Sequence, residues 1–188
     1  MRRAELEHLI RAAAAVTDEY ELVIIGSQSI LGTVEVADGV LQESQEADMY
    51  PLMHPERADL IDGAIGEESP FHRTFGYYAQ GVGPDTAVLP QGWQARLVRI
   101  QGPATDLKVG LCLEVHDLAA SKLIAGRPKD LPFVHAMFER GVIAPDVLEK
   151  RLAMLPVAMD RIASLQEKAR RLAAAAAQGS GDRGNATG

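Results

Sequence analysis

Leu22-Val23-Ile24-Ile25-Gly26-Ser27 is a run of four branched aliphatic residues closed by a glycine and a hydroxyl. An unbroken apolar run of this length, bounded by polar residues, predicts a strand buried on both faces at the centre of a sheet. The Gly-Ser end predicts a tight turn into a short helix over Gln28 to Leu31, stopping near Gly32. Further on stands Ser44-Gln45-Glu46-Ala47-Asp48, which opens a second predicted strand over Glu46 to Leu52, with Pro51 near its end. On a strand Glu46 and Asp48 share one face. Two carboxylates held that close repel one another unless a cation joins them, so the pair points to a divalent metal. Mg²⁺ prefers one or two carboxylates plus substrate phosphates, at about 2.1 Å. The backbone N–H groups of a Gly-Ser turn can cradle a phosphate. Metal and cradle together suit a nucleoside triphosphate. Each feature also has a plainer reading: a tight βα connection for Gly26-Ser27, and a solvated edge strand for the acids.

Before this strand, Leu6, Leu9, Ile10, Ala13 and Ala14 recur at helical spacing and predict an opening amphipathic helix. After the acidic strand, Pro55 to Ile61 reads as a helix with proline in its first turn. Phe75 to Val82, Ala95 to Ile100 and Val109 to Val115 read as three more strands. The chain then changes character. Asp117 is placed to cap a helix to about Ala125, interrupted by Gly126 and Pro128. Helices are predicted over Pro128 to Glu139 and Pro145 to Leu155. A last one carries Ala158, Ile162, Leu165, Ala169 and Leu172. Strands first and helices last predict an α+β fold. It divides into a core over 1–116, C-terminal helices over 117–177 and a polar, disordered tail over 178–188.

Composition limits what the protein can do. A chain of 188 residues that is 47% hydrophobic builds a real core. A net charge of -7 argues against general coating of nucleic acid. It leaves open a local basic groove, should Arg96, Arg99, Lys108, Lys122, Arg127 and Lys129 cluster. The single cysteine, Cys112, excludes an internal disulfide and a cysteine-based zinc site. No apolar stretch approaches the ~20 residues of a membrane span. The N-terminal Arg2 and Arg3 are not followed by a signal-like apolar run, so a cytoplasmic protein is expected.

Lys122 and Lys129 are two helical turns apart, so a continuous helix puts both on roughly one face, where with Arg127 they could meet phosphates. Asp130 would then orient Lys129 or Arg127. A solvated helix face is the alternative. If Leu111 to His116 is extended, Cys112, Glu114 and His116 alternate onto one face, which allows a nucleophilic cysteine site. A cysteine among leucines is otherwise a small core hydrophobe. The other histidines lack ligand spacing, and Trp93, after Pro90 and Gly92, reads as a packing anchor.

Gly26-Ser27 followed by Ser44-Gln45-Glu46-Ala47-Asp48 resembles the signature of the nucleotidyltransferase superfamily, the polymerase-β-like fold, with glutamate in the first aspartate position. Leu118 to Asp130, with Lys122, Arg127, Lys129 and Asp130, resembles a helix motif of minimal nucleotidyltransferases of the DUF6036 and abortive-infection type. Leu89-Pro90-Gln91-Gly92-Trp93-Gln94-Ala95-Arg96-Leu97 is similar to a DUF6036 stretch. The resemblance implies a mixed sheet and a Mg²⁺-nucleoside triphosphate on Gly26, Ser27, Glu46 and Asp48. It implies phosphate contacts from Lys122, Arg127 and Lys129, and transfer of a nucleotidyl group to an RNA or protein acceptor. It also implies a toxin–antitoxin or phage-defence setting with a cognate partner protein. One departure stands out. Active members carry a third carboxylate on a later strand, whereas Phe75 to Val82 offers Tyr78 and Gln80, with Asp85 just beyond; a base from elsewhere in the chain is the other reading, with Glu114 as one candidate. The alternatives are a non-catalytic nucleotide-binding module or partner subunit, and a scaffold whose helices dock another protein.

Overall fold

The apolar run becomes strand β1 (Glu21–Ile25), third of five in a sheet. The structure, a computed structural model, describes residues 1–35 and 39–184. The sheet has β2 at Glu46–Pro51, β3 at Tyr78–Gly81, β4 at Val98–Ile100 and β5 at Val109–Cys112, in the order β3-β2-β1-β5-β4. β1 runs antiparallel to β2 and parallel to β5, while β3 is parallel to β2 and β4 antiparallel to β5. The sheet is therefore mixed, and the protein is α+β.

Two compact units divide the chain, one of residues 1–87 and 94–114, the other of 88–93 and 115–188. The first holds all five strands. Helix α1 (Arg3–Thr17) buries Leu6, Leu9, Ile10, Ala13 and Ala14, the stripe its periodicity marked. Helix α2 (Ala58–Ile65) crosses the sheet so closely that a Cβ on Gly81 would lie 2.0 Å from the Ala58 carbonyl oxygen. Gly81, Met49 and Ile24 are register partners across β3, β2 and β1. They define the covered face, on which Leu22, Ile24, Ala47, Met49 and Ala79 are fully buried. Burial of Leu22, Ile24 and Met49 contributes about 1.5–3 kcal/mol each. The alternate residues Glu46, Asp48, Tyr78 and Gln80 point to the other face.

Helix α3 (Pro70–Phe75) takes Phe75 out of the expected strand. Ser69 caps it by accepting the His72 N–H, Pro70 occupies its first turn, and Gly76 ends it in the left-handed region. That Ser-Pro start was the available signal. The helix expected over Pro55 to Ile61 is a 3₁₀ turn (Pro55–Arg57) running into α2.

The second unit is helical: α4 (Val115–Ala125), α5 (Asp130–Glu139), α6 (Pro145–Leu152) and α7 (Met159–Gly184). Asp117 does not stand before the helix. It lies inside the first turn of α4, fully buried, with Oδ1 3.2 Å from Arg151 Nε. The expected tail from Gln178 is helical as far as Gly184, because the alanine run of 173–177 carries the helix past the polar residues. Residues 185–188 lie outside the described residues.

Candidate functional site

Register alone brings the two leading motifs together. Ile25 pairs with Asp48, so the turn after β1 sits beside the acidic end of β2. Gly26 has φ +68° and ψ -167°, a conformation reserved for glycine. A Cβ there would lie 2.0 Å from Asp48 Oδ2, so the carboxylate fills the space that any side chain at 26 would need. Ser27 opens a six-residue 3₁₀ helix, Ser27–Gly32, longer by one residue at each end than the expected Gln28 to Leu31. Its first turn is tied down because the Ser29 hydroxyl donates to the Gly26 carbonyl at 2.8 Å. Gln28, buried to 1% exposure, donates through Nε2 to the Ser44 carbonyl at 3.2 Å. The Ser44 hydroxyl accepts the Glu46 N–H at 3.2 Å and so leads the chain into β2. Gly26, Ser27, Glu46 and Asp48 thus share one corner of the sheet.

The neighbouring strand completes the surface. Glu46 pairs with Tyr78, and Asp48 with Gln80. The Tyr78 hydroxyl donates to Glu46 Oε2 at 3.2 Å. Burial, then the charge of Glu46, pushes the Tyr78 phenol up to about 12, with Glu67, the Glu46 hydrogen bond and Asp48 adding to it. Tyr78 is therefore a neutral donor at physiological pH. Gln80 is exposed and stands where an acid of β3 would flank Asp48. Behind Tyr78 the His72 ring packs at 4.6 Å between centroids. His72 Nδ1 accepts the Glu68 N–H at 3.1 Å, so the ring's proton sits on Nε2. A cavity of ≈ 350 Å³ opens there, lined by Glu68, His72 and Arg73. Asp85 belongs to a 3₁₀ turn, Pro84–Thr86, and acts on a different tyrosine: with burial as the larger cause, its charge raises the pKa of Tyr50.

Glu46 and Asp48 fit the donor set of Mg²⁺, which completes its shell with substrate phosphates and water. Among the described residues no group of three or more His, Cys, Asp and Glu side chains is arranged to hold a metal by itself.

The second predicted segment is built differently. α4 ends at Ala125 and α5 begins at Asp130, so Lys122 and Lys129 do not share a helix face as expected. Gly126 breaks the helix with φ +64°. Lys122 is only 7% exposed. Its ammonium donates to Asp130 Oδ1 at 3.1 Å and lies 4.3 Å from the centre of the Phe133 ring. Asp130 Oδ2 accepts the Arg127 backbone N–H at 3.0 Å. Asp130 therefore holds Lys122 and the turn, not the side chains of Lys129 or Arg127, which are both exposed residues. With Lys122 buried, the six cations suggested for a basic groove do not form one surface. Two others are also engaged: Arg99 reaches Glu21 at 3.6 Å, and the Lys108 ammonium lies 5.5 Å over Tyr20.

The cysteine site does not form either. β5 ends at Cys112, and His116 lies in α4, where Nε2 accepts the Ala144 N–H at 2.9 Å. The alternation that joined Cys112, Glu114 and His116 is thereby broken. Burial pushes the Cys112 thiol up to about 12, leaving it a core residue.

Among the described residues no helix is long and apolar enough to cross a membrane. Comparisons with curated proteins and with solved structures gave no match. A family model described as a nucleotidyltransferase of unknown function, DUF6036, matches residues 4–173. That match covers nearly all of both units, and with it the chain belongs to the DUF6036 family of nucleotidyltransferases of unknown function.

Proposed function

We propose that the protein binds a nucleoside triphosphate with Mg²⁺ at the corner formed by Gly26, Ser27, Glu46 and Asp48. In this reading the backbone around Gly26 and the Ser27 hydroxyl hold the phosphate tail. Glu46 and Asp48 hold the metal, and Tyr78 fixes the direction of Glu46. The metal, when bound, neutralises charge on the triphosphate and on the leaving pyrophosphate. The observation that carries the reading is the seat of the Asp48 carboxylate against the bare Cα of Gly26, which joins cradle and acid in one site.

The chemistry is nucleotidyl transfer in line at the α-phosphorus, as the family description suggests. An RNA or protein acceptor is what the resemblance implies; a cytoplasmic toxin–antitoxin or phage-defence setting with a cognate partner belongs to this proposal. Arg127 and Lys129, the further phosphate contacts that the resemblance implies, are exposed residues of the second unit. Lys122 shapes their turn through Asp130. A second reading, a binding module or partner subunit without turnover, is favoured by Gln80, since an amide takes no proton from an acceptor near neutral pH.

The test is thermal unfolding with each nucleoside triphosphate, with and without Mg²⁺. Binding to the native state raises stability by roughly 2.7 kcal/mol at a hundred times Kd. Stabilisation that requires Mg²⁺ and is lost in Asp48→Ala is the expected result. No stabilisation by any nucleotide at millimolar concentration overturns the reading. Transfer of α-labelled nucleotide to cell extract then separates enzyme from module.

A further inference from the structure

The residues flanking the acidic pair bear on the acceptor. An alcohol that attacks the α-phosphorus must surrender its proton, and a carboxylate beside the metal pair is well suited to take it. Beside Asp48 the register puts Gln80, and beside Glu46 it puts Tyr78. A carboxamide and a phenol that already donates to Glu46 are hydrogen-bond donors, not bases at neutral pH. Beyond Tyr78, His72 and Arg73 line the adjoining cavity. Glu68 lines it too, and Glu67 acts on Tyr78, so this flank carries both signs of charge.

A phosphate monoester has its second pKa near about 6, so it arrives with an ionised, nucleophilic oxygen and needs no base. The same dianion would be repelled by a carboxylate at position 80, whereas the two N–H bonds of a carboxamide can hold it. We propose that the acceptor is a small phosphate monoester bound beside Gln80, and that Gln80 sets the preference for it over an alcohol. The net charge of -7 argues for a small acceptor over a polyanionic strand. In the step, one acceptor phosphate oxygen forms a bond to the α-phosphorus. The bond from that phosphorus to the α–β bridging oxygen breaks, and pyrophosphate leaves with the electron pair. The product is a phosphoanhydride, and no proton leaves the acceptor.

The inference rests on the nucleotide reading above, and its test separates the two. The full chain with Mg²⁺ and α-³²P-labelled nucleoside triphosphates is offered glycerol 3-phosphate and ribose 5-phosphate, against glycerol and ribose. Labelling of the phosphates about 10²-fold above the alcohols is expected, and Gln80→Glu should reverse the order. A binding readout runs beside it. Glycerol 3-phosphate should further raise the melting temperature of protein loaded with Mg²⁺ and an α,β-methylene triphosphate. Gln80→Glu should lose that increment and keep the increment from the analogue. Alcohols labelled as well as phosphates, or analogue-loaded protein indifferent to phosphate monoesters, overturns the inference and leaves the nucleotide reading standing. Failure of the analogue with Mg²⁺ to stabilise the wild type overturns both.

Discussion

The corner of the sheet at Gly26 and Asp48 and the turn between α4 and α5 contain the same kinds of residue, and they use them in opposite ways. At the sheet corner two acids lie half-buried on one strand face, with an exposed amide next to them. At the helical turn, Lys122 and Asp130 are buried and spend their charge on one another. A charge removed from water must be matched locally, so a buried pair is a fastening. The acids of the sheet corner stay partly in water, with Glu46 held by the Tyr78 hydroxyl. Residue type and spacing suggest phosphate chemistry in both places, and burial differs between them.

The largest effect should come from breaking the fastening. Asp130→Ala leaves a buried ammonium facing Phe133 and frees the Arg127 N–H, and should cost about 3–5 kcal/mol in urea unfolding. Lys122→Met combined with Asp130→Leu should recover much of that loss. If Asp130→Ala unfolds like the wild type, the two regions do not differ as described.

At the other region the expected loss is in ligand binding. Asp48→Ala should remove the Mg²⁺-dependent nucleotide stabilisation, roughly 2.7 kcal/mol at a hundred times Kd. Gly26→Ala forces a Cβ into the Asp48 carboxylate and an L-residue into a glycine conformation, at about 1–3 kcal/mol. Adding Asp48→Ala relieves the clash but not the backbone strain, so the double variant should be more stable than the sum of the single losses predicts.

Smallest is the Tyr78 contact. Tyr78→Phe should cost about 1 kcal/mol, as for one hydrogen bond. The phenol's pKa of about 12 in the folded protein lies above its ordinary value of 10.0, so the native state holds this proton more tightly. Its contribution is complete below pH 10 and declines as pH rises through 12. Tyrosinate absorbance should show one of the four tyrosines titrating at the high end of that window.

Much of this was legible in the chain. Leu22 to Ile25 marked the centre of the sheet, since a strand buried on both faces must be apolar throughout. The stripe of α1 followed from its period. Glu46, Asp48 and the absence of an acid at Gln80 were readable from alternation. Helix α3 was missed because the aromatic residues after Pro70 suit a strand equally well, and only Ser69 and Pro70 marked its start. Lys122 was misplaced because Gly126 ends the helix that was to carry Lys129 on the same face.

By itself, then, the order of residues determined where β1, β2 and α1 lie and that Glu46 and Asp48 share a face, because those depend on neighbours a few positions apart. Only the tertiary structure decided that Asp48 rests on Gly26 and that Lys122 faces Asp130. Pairing of distant strands and burial of charge are properties of the packed chain, where distance and dielectric are set by segments far apart in sequence.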